Sequence, residues 1–182
     1  MKIDDYITYW YRDSDKIYLN SQLLPVNIRL FRSSLGYKDV VLTCCEYIKE
    51  LALAKCEDYP LPFGMSGANA AVPFNIIGLV HNRGQYNAHC QIMMNPIAYH
   101  SGPKPTFTRA KTNCGSLRLP ALITVERPTE LMVAYYDEEG DPQKRRFTRE
   151  NGVFTVHHEI DHNLGILITD RDVNRTCCPL QT

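Results

Sequence analysis

His158, Glu159 and His162 stand in the order H-E-x-x-H. Residues four apart share one face of a helix, so two imidazoles spaced this way can reach one metal ion. The glutamate between them can reach a water on that ion. The chemistry on offer is hydrolysis, with a metal-activated water and a carboxylate that moves the proton. Apolar residues flank the stretch: Val153, Phe154 and Val156 before it, Ile160 and Leu164 within it, Ile166, Leu167 and Ile168 after it. This pattern reads as a buried helix that presents its polar groups into a pocket. The same residues also fit a helix whose histidines are ordinary core or surface groups, because the pattern is short enough to arise by chance.

The elements that must hold such a helix follow from the rest of the chain. At 182 residues the chain fits one domain with one core. We read residues 1–20 as an N-terminal extension packed on it and residues 172–182 as a short tail. Lys plus Arg and Asp plus Glu each number 20, so the chain carries no net charge that would capture nucleic acid or an anionic membrane. No apolar run is long enough to span a bilayer. The acidic N-terminus shows no secretory h-region, so a cytoplasmic location is expected.

Residues 21–37 read as a loop-rich lead-in. From Lys38 to Lys55, apolar residues recur at helical spacing and give an amphipathic helix near the N-terminus. Strands are expected at Ile76 to His81 and His89 to Ile97, joined by a turn at Asn82-Arg83-Gly84, with Pro96 closing the second strand or marking an edge. Further strands are expected at residues 106–112, and as a pair at Leu119 to Val125 and Glu130 to Tyr136. Asp137 to Pro142 forms a turn and Gln143 to Thr148 the return strand. Asn151-Gly152 precedes the motif helix, Gly165 ends it, and Ile166-Leu167-Ile168 is a last short strand. The fold class is α+β: antiparallel strands folded around the helix that bears H-E-x-x-H, with the amphipathic helix outside.

The seven cysteines are odd in number and follow no signal segment, so no disulfide framework is expected. Cys44, Cys45 and Cys56 fall on or near the amphipathic helix as small hydrophobes. Cys177-Cys178 sits in the tail, and nothing supports a zinc or redox role for it. Cys114 lies in Thr112-Asn113-Cys114-Gly115-Ser116, upstream of Val125-Glu126-Arg127-Pro128.

Three stretches in this order resemble the peptide deformylases, whose motifs are G-x-G-x-A-A-x-Q, E-G-C-x-S and Q-H-E-x-D-H. Here they read Ser66-Gly67-Ala68-Asn69-Ala70-Ala71-Val72-Pro73, Thr112-Asn113-Cys114-Gly115-Ser116 and His157-His158-Glu159-Ile160-Asp161-His162. Met94-Asn95-Pro96 matches an N-P step of the family, and the likeness spans roughly residues 22–171. It implies one divalent ion held by Cys114, His158 and His162, with Fe²⁺ as the native metal and Zn²⁺ often in its place. A thiolate ligand also suits Co²⁺ and Ni²⁺. Two histidines and a cysteine leave a fourth position for water, as in a catalytic centre.

By the same resemblance, Glu159 is the general acid and base and the Gly115 N–H donates to the oxyanion. Gly67, Ala68 and Phe154 line the pocket for the substrate's first side chain. The substrate implied is an N-formyl-methionyl peptide, met transiently at the ribosome, with no direct contact to nucleic acid or membrane. Asp161 is expected to orient or cap and Arg127 to pair with an acid, neither doing chemistry.

The departures from the motifs are specific. The glutamine that ends motif one and supplies the second oxyanion donor aligns with Pro73, and Asn75 is the nearest substitute. Ser66 and Ala68 replace glycines, and His157 replaces the glutamine before the motif. Two alternatives to deformylation therefore stand. One is an amide hydrolase with a different acyl specificity; the other is a catalytically weakened, deformylase-like protein that binds metal and peptide. A zincin protease would take a third ligand from downstream, but the 20 residues after His162 hold no Glu and no further His.

Overall fold

The computed structural model of the chain describes residues 23–56, 62–81, 89–100, 102, 104–116 and 121–174. The N-terminal extension, the turn at Asn82-Arg83-Gly84 and the cysteines Cys177 and Cys178 lie outside these residues.

The lead-in expected to be loop contains a short helix, α1 (Ile28–Ser33), followed at once by α2 (Leu35–Lys55). Two polar residues explain the difference. Asn27 Oδ1 accepts from the Leu30 N–H at 3.1 Å, and Ser34 Oγ from the Tyr37 N–H at 3.4 Å. Each is an N-cap, so the residues that resembled loop composition are the ones that start helices. In α2 the buried face is Val41, Cys44, Cys45, Ile48 and Ala52; the spacing points to positions 41, 42, 45, 48, 51, 52 and 54, of which Ala54 is exposed, while Cys44 joins the face.

Five strands form one antiparallel sheet. They are β1 (Phe63–Ser66), β2 (Ile76–His81), β3 (His89–Tyr99), β6 (Glu130–Tyr136) and β7 (Pro142–Thr148), in the order β1-β2-β3-β6-β7. Alternation divides the core between the two faces of the sheet. Ile76, Val80, Ile92 and Met94 meet α2, while Ile77, Leu79, Met93, Leu131, Val133 and Phe147 meet α3 (Val153–Asn163), which carries the motif. Gly78 permits the close approach of α2, since a Cβ there would stand 2.8 Å from Cys90 Sγ and 2.9 Å from a methyl of Ile48.

Pro96 does not end β3. The register shifts between Met94 and Ile97, so the proline sits in a bulge, where no ladder hydrogen bond is asked of it. Asn95, at φ 51°, is held there by two bonds of 2.8 Å between its amide and the backbone of Val26.

β4 (Phe107–Thr112) and β5 (Ile123–Pro128) form a separate two-stranded sheet. This corrects the pairing expected from the sequence. The strand near residue 125 pairs backward with β4, with Phe107 opposite Pro128, and not forward with β6. Only Thr129 separates β5 from β6, too little chain for a hairpin, and Pro128 lacks an N–H to continue the ladder. The final strand is also corrected. Ile168–Arg171 is a 3₁₀ turn, and Asp172 makes an isolated bridge to Val125.

The turn before β7 is as composition suggests, with Asp137 Oδ1 accepting from the N–H groups of Glu139 and Asp141 and Gly140 at φ 85°. The described cysteines, Cys44, Cys45, Cys56, Cys90 and Cys114, are buried. Burial raises Cys44 to about 11 and Cys90 to about 12, so both behave as apolar fillers. Among the described residues no helix is long and apolar enough to cross a membrane.

Phe147 is fully buried beneath α3, whereas Leu35 is 81% exposed. Chemical denaturation should show Phe147→Ala losing about 3–5 kcal/mol and Leu35→Ala changing stability by no more than about 0.5 kcal/mol.

Candidate metal centre

The motif helix is positioned from three sides. Val153, Val156 and Ile160 bury one stripe of α3 on the sheet. Its N-cap, Gly152, takes φ 100°, and a Cβ there would stand 2.4 Å from Pro62 Cγ. The edge strand β1 lies along a second stripe. At Gly64 a Cβ would fall 2.5 Å from Glu159 Cγ and 2.8 Å from Thr155 Cγ2, so the absence of a side chain lets β1 reach the acid. In sequence, Gly64 heads a run of small residues that ends at Pro73, the kind of stretch in which a backbone can approach a neighbour closely.

The third side comes from β4 and β5. β4 ends at Thr112, and Asn113 Oδ1 accepts from the Cys114 N–H at 2.8 Å, turning the cysteine inward to 2% exposure. Its Sγ lies 3.4 Å from His162 Nε2, which in turn lies 2.9 Å from His158 Nε2. One donor atom from each of Cys114, His158 and His162 therefore sits within 4.8 Å of the others. Donors held tetrahedrally by one ion at 2.0–2.3 Å would be separated by roughly 3.3–3.7 Å, close to this spacing.

The electrostatics suit a cation. Burial first, then the neighbouring His162, pushes His158 down to about 3; burial, helped by Arg127, pushes His162 down to about 4. Both rings are neutral at physiological pH, the form that ligates. Burial raises Glu159 to about 8, against hydrogen bonds from Ser66 that pull it down. Glu159 Oε2 and His162 Nδ1 are buried without a protein partner. Two neutral imidazole nitrogens and a thiol sulfur converge on one point, an arrangement of lone pairs that a divalent ion would fill.

Arg127 on β5, 2% exposed, forms an ion pair with Asp161 and also donates to His157 Nδ1. Arg171 closes the other side of Asp161 at 2.7 Å. Burial works against the Asp161 carboxylate, but Arg171, Arg127 and His157 together hold it below its ordinary value. This network fastens α3 to β5.

Of the residues expected to line a substrate pocket, Phe154 is half-buried one turn before His158. Gly67 is buried in the turn after β1, where a Cβ would meet the Phe74 carbonyl at 2.4 Å. The Ala68 N–H donates to Asn163 Oδ1 at 3.2 Å. Gly115, next to Cys114 in the chain, is exposed. Pro73 uses its carbonyl to accept from the Leu24 N–H, and Asn75 Oδ1 accepts from Asn163. The amide that reaches the cysteine loop belongs instead to Asn69, which bonds Ser66 on one side and Ser116 on the other. The sequence signal for this was Ser66-x-x-Asn69 within the small-residue run.

A family model described as polypeptide deformylase matches residues 46–176. A peptide deformylase of Synechocystis sp. is 41% identical over 58 residues, 31% of this chain and 30% of the relative, so the matched stretch spans under a third of that protein's length. The crystal structure of a peptide deformylase from Synechococcus elongatus in complex with actinonin aligns with a TM-score of 0.64 at 19% identity, covering 88% of this chain and 78% of that one. A class I type b peptide deformylase from Acinetobacter baumannii, with Met-Ala-Ser bound, aligns with a TM-score of 0.61 at 19% identity, covering 86% and 92%. At these identities the structural likeness speaks to the fold.

Two outcomes follow from the charges. The Glu159 acid sits above its ordinary 4.5, so its neutral form stabilises the metal-free fold fully below pH 4.5. That contribution is lost as the pH rises towards 8. Metal-free Glu159→Gln should match the wild type near pH 4 and exceed it at pH 8 by on the order of a few kcal/mol in urea titrations. Asp161→Asn leaves the buried Arg127 charge uncompensated and should cost about 3–5 kcal/mol. Arg171→Leu, at a site 39% exposed, should cost about 1 kcal/mol or less.

Proposed function

The chain belongs to the polypeptide deformylase family, and from that premise we propose that it is a metal-dependent hydrolase that removes the N-formyl group from formyl-methionyl peptides. The observation that carries the reading is the convergence of Cys114, His158 and His162 beside the buried Glu159. Cys114 Sγ and the two Nε2 atoms would hold one divalent ion, Fe²⁺ by resemblance, with Zn²⁺, Co²⁺ and Ni²⁺ also suited to the donor set. When bound, such an ion supplies a Lewis acid and a water acidified towards neutrality.

The protein's own groups do the rest. The Glu159 carboxylate takes the proton from the attacking water and gives it to the departing amine, so that formate and a free amino terminus leave. The Gly115 N–H, exposed beside the cysteine, donates to the formyl oxygen as charge gathers on it. Phe154 offers the apolar wall for the methionine side chain. This chemistry fits a nascent peptide leaving the ribosome in the cytoplasm, with no direct contact to nucleic acid.

A second reading rests on Pro73, which has neither an amide side chain nor an N–H where the family carries its glutamine. It keeps the same water chemistry but changes or weakens the acyl selection. Purified protein loaded with iron under anaerobic conditions should release formate from formyl-Met-Ala-Ser. Glu159→Ala should lower the rate by about 10²–10⁴-fold, and chelation should abolish turnover until metal is restored. Formate no higher than in the Glu159→Ala variant would sink the proposal. Faster release of acetate from acetyl-Met-Ala-Ser would favour the second reading.

A further inference from the structure

Three polar side chains form a line from the acid to the cysteine loop. Ser66, with no exposed surface at the end of β1, approaches Glu159 through both its hydroxyl and its backbone N–H. Asn69, three residues on, donates its backbone N–H to Ser66 Oγ at 3.2 Å. Its side-chain amide then bridges Ser66 Oγ and Ser116 Oγ, a link across 47 residues of chain. Ser116 stands two residues beyond Cys114.

We propose that Ser66, Asn69 and Ser116 form a positioning relay that fixes the Glu159 carboxylate relative to the cysteine loop, with Asn69 as its pivot. The inference rests on the reading of Glu159 as the general base. Counting protons gives the relay its direction. In the ionised form that the base role requires, Glu159 only accepts, so the single hydroxyl proton of Ser66 goes to Glu159. Ser66 Oγ must then receive from the NH₂ end of Asn69, and the amide carbonyl must receive from the Ser116 hydroxyl. In the structure Oδ1 faces Ser66 and Nδ2 faces Ser116. A half-turn of the amide exchanges the two ends and leaves the heavy atoms in place. Residue 69 must therefore donate on one side and accept on the other, which Asn can do and an ionised Asp cannot. The relay also joins two separate sheets, so the distance from base to ligand loop does not depend on the backbone alone.

The test separates the relay from the activity. In metal-free protein the Asn69 side-chain NH₂ protons should exchange slowly, and their NMR resonances should move on Ser116→Ala and on Ser66→Ala. A freely exchanging, solvent-like amide overturns the relay whatever the turnover. In metal-loaded protein Ser66→Ala and Asn69→Asp should each lower kcat about tenfold or more, with KM held within about threefold. The double variant should fall no further than the worse single one, since both cut the same chain. Losses that multiply, or that lie in KM, overturn the proposal. If Asn69→Asp does not fold, Ser116→Ala and the exchange measurement decide. Wild-type protein that releases no formate counts against the proposed function and leaves the exchange result to judge the relay.

Discussion

The ion pair between Arg127 and Asp161 is the contact on which the arrangement of the centre depends. Two ligand atoms ride on α3, which packs on the five-stranded sheet, and the third comes from the end of β4 in the separate two-stranded sheet. Arg127 on β5 reaches Asp161 on α3 with both side chains almost fully buried, and Arg171 from the 3₁₀ turn closes the pair from outside. A buried ion pair is a modest source of net stability, because desolvation consumes most of the attraction. Its alternatives are far worse, since either charge left alone in the interior is costly. That asymmetry holds the hairpin and the helix in one relative position, and Cys114 meets His162 as a result.

Close approach is the second constraint. Gly64 lets the edge strand lie on Glu159, and the turn at Gly67 folds back on Phe74. Asn163, next to His162, accepts from Ala68 and donates to the Ile76 carbonyl and to Asn75. The small-residue run is therefore fastened to the helix from the far side. These contacts remove water from the acid and the imidazoles. The rings stay neutral and the acid keeps its proton far above its ordinary range. The interior is thus poised for a cation, and it is the same desolvation that would make a charge-stabilising group effective there.

Much was legible in the residue pattern because its causes are local. The α2 stripe at Val41, Cys45, Ile48 and Ala52 follows from a 3.6-residue period, β2 from a short apolar run bounded by a turn signal, and β7 from the turn chemistry before it. The α1 helix was missed because Asn27 and Ser34 are good caps as well as good loop residues, and composition alone cannot choose between the two. The pairing of β5 was missed because nothing in a strand's own sequence names its neighbour.

Sequence by itself determined the ligand-bearing types and their order. His158, Glu159 and His162 share a helix face by spacing, and Cys114 stands out by its motif. The family likeness was readable from the same residues. Tertiary structure alone decided that Asp161 is the acid with which Arg127 pairs, that Pro96 lies inside a continuing strand, and that Asn69 is the amide that reaches the cysteine loop. The physical reason is range. Helical spacing is set within four residues, whereas the contact of Asn69 with Ser116 spans 47 positions and that of Arg127 with Asp161 spans 34. Such contacts exist only once two sheets have packed against one helix.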